Sequence, residues 1–336
     1  LEKPEKYRLE QPKNLYPSMN QGSVLNEKIK ISKEIEKLKK FKQKELTKKQ
    51  QNTYMVLMDY LRRQKNLSMY PYYERILGKT SGQQAQILLT LSEYRLKNEK
   101  DIKSYFQLLK GLDGYFDSLI EYSKEQVKRN LFLSDQSLKE VLQQIQNVIK
   151  QKENNMLVAT FNLRIADIKG INAAQEQKYC RENKTLIGTK EMPAYEKLYS
   201  HLQALNGNGK NENGLYYYKN GKEYYKVLVA QKTGSDKTIE EMIEISDRSI
   251  EKCLRKLIKL QKKYPNIINE YRNHKKNIKI VQNPQNILNK LRQKMVKYYP
   301  KAPKVSCKIK YVHKTMEEYT SPAFYMVPEI DSYKEN

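Results

Sequence analysis

The sequence predicts a mainly α-helical fold with a small β element. Apolar residues recur at spacings of three and four along several segments, the period that places them on one face of a helix. Sequences typical of helix N-termini precede some of these segments, and an Asn-Gly pair between β-forming residues predicts a tight turn. With 336 residues and 38% hydrophobic content, the chain is long enough to bury a substantial core.

The clearest helix is predicted at Asp101–Tyr122, where the apolar residues form one broad stripe. This stripe comprises Ile102, Tyr105, Phe106, Leu109, Leu112, Phe116, Leu119 and Ile120. Ser134 precedes a second helix with the same kind of pattern. Its stripe comprises Leu138, Val141, Leu142, Ile145 and Ile149. We expect both stripes to pack in the core.

Two further helices are predicted to begin at capping boxes, in which a hydroxyl and a Gln or Glu three residues later bind exposed backbone amides. Thr47–Gln50 (TKKQ) should open a helix through Tyr54, Leu57, Met58 and Leu61. Thr238–Glu241 (TIEE) should open another, through Met242, Ile245, Ile250, Leu254 and Leu257. Such caps and stripes are typical of helices that pack in a core. Heptads are not sustained along the chain, so no long coiled coil is predicted.

Two regions depart from the helical pattern and predict the β element. Residues 215–229 contain Asn220-Gly221 between aromatic residues, which predicts a hairpin because both residues tolerate the positive φ of a type I′ turn. Residues 307–327 contain CKIKYV and PAFYMV, which predict two short strands. Pro322 suits the start of a strand or an edge strand, because it cannot donate a hydrogen bond to the ladder.

The organisation along the chain follows from proline content and periodicity. Residues 1–24 contain three prolines and little periodicity, which predicts an extended N-terminal arm. A helical region is predicted at residues 25–200, followed at 201–336 by a helical region that carries the β element. The longest apolar runs, such as Met156–Phe161, are far shorter than the roughly 18 to 20 residues that span a bilayer, so no transmembrane helix is predicted.

The net charge of +26 has two interpretations. In the first, the positive charge attracts nucleic acid or an anionic membrane surface. In the second, it reflects a lysine-rich composition on a solvated surface. Arginine, whose guanidinium forms bidentate hydrogen bonds with phosphates and guanines, occurs 12 times, whereas lysine occurs 52 times. This imbalance favours the second interpretation, and nucleic acid is not the expected partner.

Sequence motifs of catalysis and metal binding do not appear in this chain. His201, His274 and His313 are too far apart to form an HExxH pair, and the cysteines form no CxxC pair. The sequence GNGKNENG lacks the GxxxxGK[ST] spacing that binds phosphates, and its asparagines suit a turn. We therefore predict no catalytic residue, no metal ligand and no cofactor within this chain.

A tyrosine cluster, Tyr216–Tyr218 with Tyr224 and Tyr225, is the best candidate for a ligand surface from the residues alone. Aromatic rings beside lysines can stack on single-stranded nucleic acid or on a glycan. Alternatively, some of these tyrosines pack against helices while their hydroxyls reach solvent. We favour the packing interpretation, but the sequence leaves both open.

Three segments resemble, in this order, the bacterial family catalogued as "domain of unknown function 885". The segments are Tyr72–Leu109, which begins YYERILGKTSGQQAQ, then Glu191–Gly234, which begins EMPAYEKLYS, and Cys307–Asp331, which includes SPAFYMVPEID. The similarity runs from about Tyr54 to the last residue. Three long motifs in the family's order make agreement by chance improbable.

The resemblance implies a multi-helix, metallopeptidase-like architecture, because the family is similar to helical zinc metallopeptidases of the HExxH type. It also implies peptide hydrolysis by the full-length protein and an extracytoplasmic location, lipid-anchored or secreted. In the family the HExxH helix follows the segment matching SPAFYMVPEID. The zinc ligands and the general base are therefore expected outside this chain. We expect the chain to be the N-terminal and middle portion of a longer protein, inactive by itself.

In related metallopeptidases an edge strand beside the zinc helix pairs with the backbone of the peptide substrate. By this resemblance the candidate substrate-contact residues are Ser321, Ala323, Phe324 and Tyr325, with His313 and Tyr319 as further candidates. The other interpretation is that this strand only covers the helical core. Apolar surface left open by a missing portion would favour a dimer. The alternative function is a non-catalytic, basic helical module that binds nucleic acid or other polyanions.

Overall fold

A computed structural model of the chain describes residues 16–17, 19–79, 81–152, 155–212, 214–277, 283–300, 309–312, 314, 323 and 325. The α-helices are α1 Gln21–Lys39, α2 Lys48–Leu67, α3 Gln83–Ser92, α4 Glu99–Lys128, α5 Asp135–Gln151, α6 Met156–Ile165, α7 Ala173–Leu186, α8 Met192–Gln203, α9 Gly221–Thr233, α10 Ile239–Lys263, α11 Ile267–Asn277 and α12 Pro284–Met295. The described residues contain no β-strand. The prediction of a mainly helical fold is confirmed.

The chain divides into two compact units. The first comprises Gln11–Ser235 and His313–Phe324, and it contains helices α1 to α9. The second comprises Leu1–Glu10, Asp236–Val312 and Tyr325–Asn336, and it contains α10 to α12. The predicted boundaries of the arm and of the two helical regions stay predictions.

Helix α4 is the centre of the first unit and packs against α7 and α8. It begins after Asn98, whose side chain accepts a hydrogen bond from the backbone amide of Asp101. Its predicted apolar stripe is buried along its whole length, and Leu109, Leu112 and Phe116 are 0% exposed. The sequence pattern therefore predicted both this helix and its role in the core.

The predicted helix starts at Thr47 and Ser134 are confirmed. Thr47 and Gln50 form a complete capping box at the start of α2, and the Ser134 hydroxyl accepts a hydrogen bond from Ser137 at the start of α5. Helix α5 packs against α8, whereas α2 contacts α1 and α9. These caps satisfy amides that have no partner within the helix.

The hairpin predicted at residues 215–229 is wrong. Gly214–Tyr217 form a 3₁₀ turn, and α9 begins at Gly221. Asn220 does adopt positive φ, at 56°, but it links the 3₁₀ turn to a helix rather than two strands. Gly221 is required there because a Cβ would lie 1.8 Å from the carbonyl oxygen of Leu215. Tyr224 is buried while Tyr225 is exposed, and α9 packs on α2.

Most of the two strands predicted at residues 307–327 lie outside the described residues. Residues 309–312 are described and have no regular secondary structure. Together with α9, this part of the chain gives no support to a β element.

The packing predicted for the helix after Thr238 is also wrong, although its start is correct. Thr238 and Glu241 form the expected capping box, but α10 buries none of its residues. Ile250, Leu254 and Leu257 are 56%, 51% and 56% exposed. No described side chain of the second unit is buried. A periodic pattern identifies the apolar face of a helix but does not identify what covers that face.

A search for spans that could cross a membrane found none among the helices that the structure describes.

Candidate functional site

The most unusual polar group of the first unit is the carboxyl of Glu191, which is 0% exposed. Glu191 ends a π-helical turn, Ile187–Glu191, that joins α7 to α8. Pro193 lies two residues after Glu191 and has no amide hydrogen to donate within the helix. At the end of the π-helical turn, the Met192 amide donates to the carbonyl of Ile187, five residues earlier. Such turns are frequent at functional sites, which makes this one a candidate.

One oxygen of the Glu191 carboxyl is held by Asn155. The Nδ2 of Asn155 donates to Glu191 Oε2 at 3.0 Å, and its Oδ1 accepts from the Leu157 amide at 2.7 Å. Asn155 is thus both the N-cap of α6 and the partner of the buried carboxyl. The other oxygen, Glu191 Oε1, has no hydrogen-bond partner among the described residues.

Two more buried polar atoms without a partner in the described part of the chain lie on helices that meet this region. Asn183 on α7 donates to the Leu157 carbonyl at 3.3 Å, but its Oδ1 is unpaired. The Tyr105 hydroxyl on α4 is also unpaired, and its ring stacks on Phe161 of α6 with centroids 5.3 Å apart. Tyr105, Asn155, Asn183 and Glu191 are called the core polar cluster below.

Burial raises the pKa of the Glu191 carboxyl to about 8, although the hydrogen bond from Asn155 opposes this shift. Glu191 is therefore mostly protonated and neutral at pH 7. Burial likewise raises the pKa of Tyr105, and the charge of Glu191 adds to that rise, whereas the Arg164 guanidinium opposes it. The cluster is a neutral, hydrogen-bonding region inside the core. Because this carboxyl is fully buried, its protonation is linked to the folding of the core rather than to contact with a substrate.

The sequence motifs did not identify this cluster. Glu191 opens the EMPAY sequence, and the one available signal is Pro193, because proline in a helical pattern marks a distortion. Burial of Glu191 depends on contacts between α4, α7, α8 and the start of α6, which no local pattern reveals.

The tyrosine cluster divides into exposed and packed residues. Tyr216, Tyr217 and Tyr225 are 71%, 51% and 46% exposed and are called the tyrosine surface below. Lys222 lies against it, with its Nζ 5.8 Å from the centroid of the Tyr216 ring. Flat, exposed rings beside a cation are the features that a stacking ligand uses.

The other two tyrosines of the cluster pack inward. The Tyr224 ring lies 4.9 Å from the ring of Tyr73, and the Tyr218 hydroxyl donates to the carbonyl of Leu131 at 2.8 Å. Both side chains are buried. The two interpretations of the cluster therefore apply to different residues.

The Gly/Asn loop before the tyrosines is occupied by a side chain of the protein itself. The Asp135 carboxylate accepts hydrogen bonds from the amides of Gly207 at 3.1 Å and Gly209 at 3.0 Å. An acidic side chain thus takes the amides that a phosphate would otherwise bind, which is consistent with a structural turn.

The predicted substrate-contact residues are only partly described. Ala323 and Tyr325 are exposed, and Tyr325 is 74% exposed. The remaining candidates, Ser321, Phe324, His313 and Tyr319, lie outside the described residues. Their role in substrate binding stays a prediction. In the part of the chain that the structure describes, no three His, Cys, Asp or Glu side chains come together as metal ligands would.

The comparison with family profiles decides the family. The profile described as "Bacterial protein of unknown function (DUF885)" matches residues 10–336. The chain belongs to the DUF885 family. This confirms the resemblance carried by the three sequence segments. A search of curated proteins found no match to this DUF885 chain.

The solved structures with a similar fold include one described as "the putative lipoprotein from Colwellia psychrerythraea". The two chains superpose with a TM-score of 0.60 at 15% sequence identity. The match covers 68% of this DUF885 chain and 42% of the lipoprotein chain. The chain therefore matches less than half of that protein's length, and a likeness at this identity shows the fold alone.

Proposed function

We propose that this DUF885 chain forms the helical, non-catalytic portion of an extracytoplasmic metallopeptidase-like protein. The observation that carries the proposal is the match to 42% of a longer chain described as a lipoprotein. Helix α4 and the elements packed on it provide the rigid core of this portion. The proposal follows the resemblance in assigning the zinc ligands and the general base to an HExxH helix, a motif that this sequence does not contain.

The proposed contribution of this chain to catalysis is to bind the peptide substrate. The residues assigned to that role are Ser321, Ala323, Phe324 and Tyr325, with His313 and Tyr319. Support comes from the family match and from the exposure of Ala323 and Tyr325. The proposal assigns no step of hydrolysis to the described residues.

The proposal includes a secreted or lipid-anchored location outside the cytoplasm. It is supported by the description of the solved structure with the similar fold as a lipoprotein. It also includes self-association, because apolar side chains of α10 to α12 lie exposed.

The experiment compares this chain with a longer polypeptide that continues into an HExxH segment. We expect the chain alone to hold no stoichiometric zinc and to leave a fluorogenic peptide library uncut. The longer polypeptide should cleave peptides, lose activity on chelation and regain it with zinc. Stoichiometric zinc or peptide hydrolysis by the present chain alone would contradict the proposal.

Substrate contact is tested in the longer polypeptide by Tyr325→Ala. The matched control is Tyr311→Ala, because Tyr311 is an equally exposed tyrosine, at 78% against 74%. We expect Tyr325→Ala to raise KM while Tyr311→Ala leaves it unchanged. Equal KM values for both variants would remove Tyr325 from the substrate site.

The tyrosine surface supports a second candidate function, a basic module that binds single-stranded nucleic acid. Tyr216, Tyr217 and Lys222 provide exposed rings and a cation for stacking. The test is fluorescence anisotropy of a labelled single-stranded DNA, titrated at increasing salt. If the module binds, log affinity falls linearly with log salt, and Tyr216→Ala weakens binding while Tyr298→Ala, in the exposed turn after α12, does not. Absence of binding at about 50 mM salt would eliminate this candidate.

A further inference from the structure

Helix α10 carries an apolar face with strict heptad spacing. Every step along this face alternates between four and three residues, which keeps its members on one side of the helix. The members, called the heptad face below, are Ile239, Ile243, Ser246, Ile250, Cys253, Leu257, Leu260 and Tyr264, and Ser246 is the one polar residue among them. The face runs the full length of α10 and ends at its C-cap, Tyr264. Three and a half heptads are enough to specify a short coiled coil.

The heptad face is open to solvent. Ile243, Ile250 and Leu257 are 54%, 56% and 56% exposed, and Leu260 is 46% exposed. Cys253 is exposed as well. A contiguous apolar surface of this kind is characteristic of an interaction site rather than of a monomer's ordinary surface. Covering it gains about 25 cal/mol for each Å² of apolar area removed from water.

The charges of α10 are segregated along its length. The acidic residues of its N-terminal half are Glu240, Glu241, Glu244 and Asp247, among which Arg248 is the one basic residue. The basic residues of its C-terminal half are Lys252, Arg255, Lys256, Lys259, Lys262 and Lys263, with Glu251 as the one acidic residue. One end of the helix is therefore negative and the other positive.

The helix dipole explains only part of this segregation. Acidic residues in the first turn and basic residues in the last turn stabilise a single helix, but the effect is confined to those turns. Glu244, Asp247, Lys252 and Lys256 lie further inside α10. Their arrangement fits a second requirement, a partner with the opposite charge order.

A second copy of α10, running antiparallel, meets that requirement. Antiparallel pairing places the acidic half of each helix beside the basic half of the other, whereas parallel pairing places like charges together. The same surface is then used by both chains, as a two-fold symmetric dimer requires. The heptad face also matches itself in this orientation, with Ile250 opposite Cys253 of the second copy and Ile243 opposite its Leu260.

We propose that α10 is a dimerisation helix that packs its heptad face antiparallel against α10 of a second copy of this chain. The occupant is identified by two features of α10, its heptad spacing and its self-complementary charge. This inference rests on the self-association included in the proposed function and gives it a surface, but it does not depend on the peptidase role, to which α10 contributes no residue.

The first test is the mass of the chain in solution, measured by sedimentation equilibrium at micromolar concentration. We expect a dimer that Ile250→Glu converts to monomer, with a dissociation constant raised about tenfold or more. The matched control is Leu163→Glu on α6, because Leu163 is a 72% exposed side chain outside α10. It should leave the dimer unchanged, and circular dichroism should show both variants folded. A wild-type monomer, or equal effects of both substitutions, would overturn the proposal.

The second test determines orientation by thiol crosslinking in a background in which Cys180, Cys253 and Cys307 are each replaced by Ser. One protein carries Ile243→Cys and the other carries Leu260→Cys. Antiparallel pairing predicts that a short bis-maleimide links one variant to the other when the two are mixed. Links between two copies of the same variant, without links between the two variants in the mixture, would show parallel pairing and overturn the proposal.

The third test reverses charge. Lys252→Glu, Lys256→Glu and Lys259→Glu together give both halves of α10 a net negative charge, and Glu240→Lys, Glu244→Lys and Asp247→Lys together give both halves a net positive charge. We expect each triple variant to be monomeric alone and the mixture to regain the dimer. Dimers of both variants alone would show that charge does not select the partner and would contradict the argument for a second copy.

Discussion

Helices α4 and α10 have similar sequence patterns and opposite environments. Both are long, both carry an apolar stripe at helical spacing, and both begin at a side-chain cap. The stripe of α4 is buried by α7 and α8, whereas α10 buries no residue. Heptad spacing occurs in both helices, since the α4 stripe includes Ile102, Tyr105, Leu109, Leu112, Phe116 and Leu119. The patterns differ in their charges, which are segregated along α10 and mixed along α4. The comparison shows that helix formation is local information, while burial depends on elements far away in the sequence or on another chain.

The largest expected effect on stability lies in the first unit and concerns Glu191. Its pKa of about 8 is above the value of 4.5 for the unfolded chain, so its protonated form stabilises the fold. This stabilisation is complete below pH 4.5 and is lost as pH rises towards and through 8. We expect the free energy of unfolding to fall by about 5 kcal/mol across that range, at about 1.4 kcal/mol per pH unit.

Glu191→Gln should remove most of this pH dependence of the free energy of unfolding, because glutamine has nearly the shape of glutamate and accepts the hydrogen bond from Asn155 without ionising. The free energy of unfolding is measured by urea titrations between pH 5 and 9, followed by circular dichroism. The matched control is Glu196→Gln on α8, an exposed carboxyl of the same unit, which should leave the profile as in wild type. Equal slopes for wild type and Glu191→Gln would show that the buried carboxyl does not titrate with folding.

The next effect compares truncations of the two stripes. Phe116 is 0% exposed and packs edge-on against Tyr195 at a centroid distance of 4.8 Å. We expect Phe116→Ala to lower the free energy of unfolding by about 4 kcal/mol, because it leaves a cavity in the core. Leu257→Ala on α10 should cost less than about 1 kcal/mol in dilute solution, where the heptad face has no partner. Similar losses in urea titrations would mean that both stripes are equally buried.

The smallest effect compares the two capping boxes. The Thr47 hydroxyl accepts a hydrogen bond from the Gln50 amide at 3.4 Å, and the Thr238 hydroxyl accepts one from the Glu241 amide at 3.1 Å. Thr47→Ala and Thr238→Ala should each cost about 1 kcal/mol of helix stability. Thr47→Ala should lower the stability of the first unit, whereas Thr238→Ala should speed amide exchange in α10 alone. Faster exchange in α4 after Thr238→Ala would contradict this separation.

The sequence predicted the features that depend on neighbours three or four residues apart. Caps at Thr47, Ser134 and Thr238 and the stripe of α4 all follow from local chemistry, and each was correct. The family followed from three motifs in order. These inferences needed no knowledge of the folded chain.

Errors arose where one local signal has two structural solutions. Asn220-Gly221 permits positive φ, which serves a hairpin or, as here, the entry to a helix. The burial of Glu191 was not predicted because four elements converge on it. The exposure of α10 was not predicted because its stripe resembles that of α4.

Amide hydrogen exchange of α4 and α10, measured by mass spectrometry over a range of protein concentrations, tests the central claim most directly. The claim is that α4 is covered within its own chain, whereas α10 is covered by a second copy. We predict slow exchange in α4 at every concentration and exchange in α10 that slows as the concentration rises through the dimer's dissociation constant. Exchange in α10 that does not change with concentration, or that is as slow as in α4 at the greatest dilution, would contradict the claim.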